Sequence, residues 1–233
     1  MRGRVLALGA SAIGALVLAS CRPDAAVAPA HVWPRDVVAA VDEVPITRAE
    51  LERAAGWAGW FTMPDAVERQ RQRVALTSML IPRAALVARD PAAAERALEE
   101  ARAMRATLRT DHPGPQPPSA GPVEQVQLGD LDTFGPFVLG AALELEPGEW
   151  SDPLLGFGYA HLVRRLPDPP ESSVKRVHLG VIDFPYLPAG ELAGLDVGTA
   201  VDGRVLELVD PKLADIVPEA LQWRMRDRAP DPR

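Results

Sequence analysis

The chain of 233 residues holds a single cysteine. One thiol supports neither a disulfide framework nor a multi-thiolate zinc or iron–sulfur site. Lysine is nearly absent as well. Of 25 basic residues only Lys175 and Lys212 are lysines, which leaves little room for a Schiff-base or other catalytic lysine. With 25 Lys+Arg against 32 Asp+Glu the formal net charge is −7. That is the opposite of the clustered basic face that a nucleic acid or an anionic membrane surface requires. Within Leu128–Leu166 no close pair of histidines or carboxylates stands at metal-ligand spacing, and no Ser/His/Asp arrangement or phosphate-cradling glycine loop is present. The expectation is therefore a protein without metal, cofactor or nucleic-acid partner. Proline, by contrast, is abundant: 24 of 233 residues, about twice the usual ~5%. The remaining composition, 47% hydrophobic and 24% charged, is ordinary for a folded chain of one or two small domains.

The first four residues carry Arg2 and Arg4, and Val5–Ala19 follow without a charge. Fifteen residues are too few for a transmembrane helix, which needs ~20, but they suit the apolar region of a signal peptide. The run ends in Leu18-Ala19-Ser20-Cys21, which resembles the bacterial lipobox. That resemblance implies a signal peptide over 1–20 and lipidation of Cys21, the only cysteine in the chain. Arg22 after the cysteine implies the outer membrane of a Gram-negative envelope, with the protein on its periplasmic face. The mature chain would have 213 residues and a charge of −9, a soluble body tethered by acyl chains.

Residues 21–36, with Pro23, Pro29 and Pro34, read as the tether. Val37–Val41 is a strand candidate closed by a turn at Asp42-Glu43. Thr47 and Glu50 then form a capping box, with Ile46 and Leu51 as its hydrophobic staple, so a helix starts at Thr47. A second helix is expected from Asp65, capped by Glu68 and ended or kinked at Pro82. Asp90-Pro91 caps a third, which presents Ala97, Leu98, Ala101, Met104 and Leu108 on one side and a solvated charged face on the other. Residues 37–110 thus form a helical module. Residues 111–122 hold five prolines in twelve and read as a linker. Residues 123–166 mix short strands with a helix near Val138–Leu145 and a strand at Tyr159–Leu166. Within 167–233, Val174–Ile182 and Thr199–Val209 look like strands, the latter containing an Asp202-Gly203 turn signal, and Asp210-Pro211 caps a last short helix interrupted at Pro218. The fold class expected is α+β.

The order of pieces in 123–166 resembles the second half of a parvulin-type peptidyl-prolyl isomerase domain. The residues that carry the resemblance are Gly129-Asp130-Leu131-Asp132-Thr133-Phe134, then Ala141-Ala142-Leu143-Glu144-Leu145-Glu146-Pro147-Gly148-Glu149-Trp150-Ser151-Asp152-Pro153, then Phe157-Gly158-Tyr159-Ala160-His161-Leu162-Val163. Val38–Leu51 is similar to the opening of the helical region of extracytoplasmic parvulin foldases. The resemblance implies prolyl isomerisation of extended or unfolded exported polypeptides, with no cofactor. His161 is the implied catalytic residue, and Phe134, Val138, Leu143 and Phe157 the implied walls of an apolar groove for the proline ring. A chaperone that binds such segments without turnover, or a structural envelope lipoprotein, is the alternative.

Four departures from the family pattern stand out. The family's first strand, ending His-Ile-Leu-Val, has two candidates here: Ser78-Met79-Leu80-Ile81, with Met79 in place of the histidine, and Val177-His178-Leu179-Gly180-Val181-Ile182, which comes downstream. The acidic or cysteine residue that precedes Gly-Asp-Leu in the family has no counterpart. The helix position usually filled by phenylalanine holds Val138. Ala160 is an extra residue before His161, enough to flip later side chains unless a bulge absorbs it.

Overall fold

A computed structural model describes residues 32–61, 66–108, 124–127, 131–167 and 176–226. For 61, 124–127, 131–134 and 176–178 it describes the backbone alone. Trp33–Arg233 form one compact α+β unit.

The chain enters through β1 (Val37–Val41), turns at Asp42 and pairs back antiparallel through β2 (Val44–Thr47). Asp42 takes a left-handed φ of 50°, a conformation that Asp tolerates because its short side chain bonds nearby backbone. Here Asp42 Oδ1 accepts the Val205 N–H at 3.0 Å. Helix α1 (Arg48–Phe61) begins at the expected capping box. Glu50 N–H donates to Thr47 Oγ1 at 3.2 Å, and Thr47 N–H donates to Glu50 Oε2 at 2.8 Å. Ile46 and Leu51 both lie in the core.

The second helix runs further than the sequence suggests. It opens as α2 (Glu68–Val74), widens to a π-helical stretch over Ala75–Leu80, and continues as α3 (Ile81–Val87). Asp65 of the expected second capping box lies outside the described residues, and Val67 at the helix entrance gives no side-chain cap. Pro82 neither ends nor breaks the helix. The π stretch carries the Ile81 N–H to the Leu76 carbonyl, so the wide turn lies just ahead of a ring that an ordinary α turn would not accommodate. Ser78–Ile81 is therefore helical and cannot be the family's first strand. The third helix, α4 (Pro91–Thr107), starts as expected, with Asp90 Oδ1 accepting the Ala93 N–H at 2.8 Å. Ala94, Ala97 and Ala101 are buried, and Leu98, Met104 and Leu108 pack against the core.

Beyond 111–122, whose linker reading lies outside the described residues, come β3 (Glu124–Gln127), α5 (Leu131–Glu144), β4 (Leu154–Leu155), β5 (Tyr159–Arg165) and β6 (Arg176–Pro185). Gly135 breaks α5 with a φ of 71° just before Pro136, a conformation open to glycine and costly for a residue with a Cβ. Strands β3 to β6 make one antiparallel sheet in the order β3-β6-β5-β4. Helix α6 (Ala189–Leu192), β7 (Leu206–Leu208) and β8 (Trp223–Met225) complete the chain. The strand expected over Thr199–Val209 is confined to β7, because Val197–Thr199 is a 3-10 turn and Gly203 at φ 72° turns the chain before it. Asp210 caps the Pro211–Leu213 turn through Lys212 N–H at 3.0 Å.

The C-terminal extension is structural to both sheets. It supplies β6, and β7 pairs with β1 in a second sheet of order β2-β1-β7-β8, where β8 lies parallel to β7. One continuous core joins residues from either side of 111–122, from Val38 and Leu76 to Leu162, Ile182 and Leu208. The compact body also begins earlier than the expected tether allows. Trp33 is buried, and its Nε1 donates to Glu207 Oε2 at 3.0 Å. Glu207 also pairs with Arg224 and, at 3.8 Å, with Arg226. Burial alone would raise the Glu207 carboxyl, but the Trp33 and Arg224 hydrogen bonds, with the Arg226 charge, hold it below the ordinary carboxylate range.

Candidate functional site

His161 sits in the middle of β5, buried, opposite Asp183 of β6 and Leu154 of β4. Directly opposed residues of an antiparallel pair share a face. The pairing therefore brings the Asp183 carboxylate to the imidazole, with Nδ1 and Oδ1 2.7 Å apart. A carboxylate only accepts, so Nδ1 donates in this contact. The two partners differ in access: the His161 side chain is 10% exposed and that of Asp183 50%. Tyr159, two residues back on the same face, stands 5.9 Å from the imidazole between ring centroids. The β5–β6 register is regular from Tyr159↔Pro185 to Arg165↔Leu179. No bulge absorbs the extra Ala160, which points into the core with Leu162 while His161 keeps to the face of Asp183.

A tight loop covers the other edge of the imidazole. A Cβ on Gly156 would fall 2.4 Å from Nε2, so only a glycine lets the chain pass that close. Tyr186 holds the loop: its hydroxyl donates to the Gly156 carbonyl at 2.8 Å and accepts the Gly158 N–H at 3.1 Å. Burial pushes the Tyr186 phenol up to about 12.

The groove residues implied by the resemblance have separate fates. The backbone of Phe134 lies in α5, and its side chain is outside the described residues. Val138 is in the core, Leu143 is half-buried against it, and Phe157 packs edge-on to Phe137 at 5.2 Å. The side chain of His178 is outside the described residues; its backbone pairs with Gln125 of β3, five residues along β6 from Asp183 and ~16 Å by strand rise. It is not brought to His161. Cys21 lies outside the described residues.

A cavity of about 260 Å³ opens between α1, α3, α4, α5 and the approach to β4. Trp57, Leu98, Phe137 and Leu154 give it apolar walls, and Glu50, Arg53, Arg83 and Arg102 give it charge. Arg83 binds Glu50 at 2.8 Å and lies over the Phe137 ring, 5.8 Å from its centroid. Burial alone would raise the Glu50 carboxyl, but Arg83 and the Thr47 donors hold it below the ordinary range. Arg53 lies 4.9 Å over Trp57 and reaches Glu144 at 2.7 Å, which also accepts Trp57 Nε1 at 2.7 Å. His161, Val138, Leu143 and Phe157 do not line this cavity.

The chain matches no family model, no curated protein and no solved structure. Among the described residues no group of three or more His, Cys, Asp and Glu could hold a metal ion, and no helix is long and apolar enough to cross a membrane.

Two features of the candidate sites were not singled out from the sequence. Asp183 is a lone charge in the apolar run Val181–Phe184, and Arg83 a lone charge in Met79–Val87; a charge that interrupts an apolar segment was the available signal. The charged face of α4 was expected to be simply solvated, yet Arg102 borders the cavity.

Proposed function

We propose that the chain is a parvulin-like foldase of the bacterial envelope, lipid-anchored at Cys21 and acting on extended segments of exported polypeptides. One observation carries the reading. The downstream strand that resembles the family's first strand, β6, lies beside β5 and sets an acidic group on His161 at 2.7 Å. The family has its first strand ahead of the helices; here the strand similar to it comes last. Asp183 would take the part of the acidic residue whose counterpart is missing upstream.

Prolyl isomerisation asks little covalent chemistry of such a site. The amide must twist over a barrier of ~18–20 kcal/mol, and the catalyst has to favour the twisted form over the planar one. An imidazole oriented by a carboxylate on Nδ1 fixes the direction of Nε2, and because a prolyl amide has no N–H to give, the twisting amide would be met by donation from a protonated Nε2 to its oxygen or nitrogen lone pair. In this reading Gly156 must yield to admit substrate, because Nε2 faces it.

That same packing favours a second reading, in which the domain binds extended chains as a chaperone and turns over none. A protease-coupled assay on a prolyl peptide separates the two. The foldase reading expects the mature chain to raise the rate above that of the uncatalysed step. A rate equal to it overturns catalysis, and suppression of the aggregation of an unfolded client then decides for the chaperone. For the anchor, Cys21→Ser is expected to move the protein from the membrane fraction to the soluble one. A variant still in the membrane fraction would contradict lipidation there.

A further inference from the structure

We propose that the cavity between α1, α3, α4, α5 and β4 binds the free C-terminal carboxylate of a peptide that ends in an apolar residue. About 260 Å³ lies just below the ~300–1,000 Å³ typical of small-molecule pockets. It suits one terminal residue rather than a folded partner. The walls meet both halves of that residue. Trp57, Phe137 and Leu98 offer a surface for an apolar side chain, while three arginines stand against one glutamate around the same space.

The arginines are not equally committed. Arg53 makes a two-toothed contact with Glu144 and lies over Trp57, so its donors are already engaged. The Arg83 side chain is 11% exposed, and among the described residues its one hydrogen-bond acceptor is Glu50, through Nη2. A guanidinium has five N–H donors, so most of this buried fork is free for an anion. Arg102 pairs with Glu95, but both side chains are more than half exposed, at 56% and 57%. Such a pair is worth little, and Arg102 is free to turn from it toward a ligand. A fixed fork within and a mobile cation outside make a complement for a carboxylate. A mid-chain peptide bond offers only a neutral carbonyl.

Neither His161 nor Asp183 lines the cavity, though Leu154, opposite His161 in the sheet, does. The test is fluorescence anisotropy with the mature chain and a labelled tetrapeptide ending in phenylalanine, either as the free acid or as the C-terminal amide. The free acid is expected to bind about tenfold more tightly, a difference of ~1.4 kcal/mol. Arg102→Gln, on an exposed side chain, is expected to remove most of that preference without disturbing the fold. Arg83→Gln should abolish it, and circular dichroism would show whether that variant folds; if it does not, Arg102→Gln alone decides. His161→Ala should bind as the parent does, so a failed isomerase assay leaves this inference standing. Equal affinity for acid and amide, or no binding of either, would overturn it, as would an acid preference that Arg102→Gln leaves intact.

Discussion

Tyr186 holds the loop that closes over His161, and its chemistry predicts how the site responds to alkali. Burial raises its pKa from the ordinary 10.0 to about 12. Between these values the unfolded chain gives up a proton that the folded chain keeps. Stability is thus fully present below the unfolded value of 10.0 and falls as pH rises toward about 12. Tyr186→Phe removes the hydroxyl and both of its bonds, to Gly156 and Gly158. The expected cost at neutral pH is ~1–3 kcal/mol in urea unfolding, because buried backbone groups lose their partner, and the alkaline fall should shrink. Legibility at this scale followed sequence separation. The Thr47–Glu50 and Asp90–Ala93 caps were readable because their partners lie three residues apart. The His161–Asp183 pair spans 22 residues and exists only through strand register, which no local pattern encodes.

Among the elements, β6 decides most. It lies between β3 and β5, while β7 of the same extension pairs with β1. A chain ending at Leu166 would keep every helix from α1 to α5 yet lose an interior strand of one sheet and leave β1 without one neighbour. Such a truncation is expected to be largely unfolded by near-ultraviolet circular dichroism; a cooperative thermal transition in it would refute the single-core description. Composition and periodicity revealed the helices α1 and α4 and the strands β1 and β5, since each carries its own cap or apolar run. They overextended β7, whose apolar stretch is shared with a turn at Gly203. They also had a helix ended or kinked at Pro82, where a widened π turn carries it on. The turn had its own signal in Asp202-Gly203, whereas the π turn is a backbone arrangement that the side-chain pattern does not encode.

At the scale of the whole molecule, the described residues from Trp33 onward share one continuous core of two sheets and packed helices. In the proposed reading β6 would take the part of the family's first strand, although it follows β5 in the chain. The functional proposal depends on that placement, since it is what brings Asp183 to His161. The most direct test is kcat/KM for prolyl isomerisation by the mature chain, beside His161→Ala and Asp183→Asn variants whose fold is verified by circular dichroism. General acid–base and oriented-dipole effects are worth ~10²-fold or more. The expected result is at least about a tenfold loss for His161→Ala and a smaller one for Asp183→Asn, which keeps the shape but weakens the hold on Nδ1. Activity unchanged in both folded variants, or a parent rate no faster than the uncatalysed reaction, would contradict it.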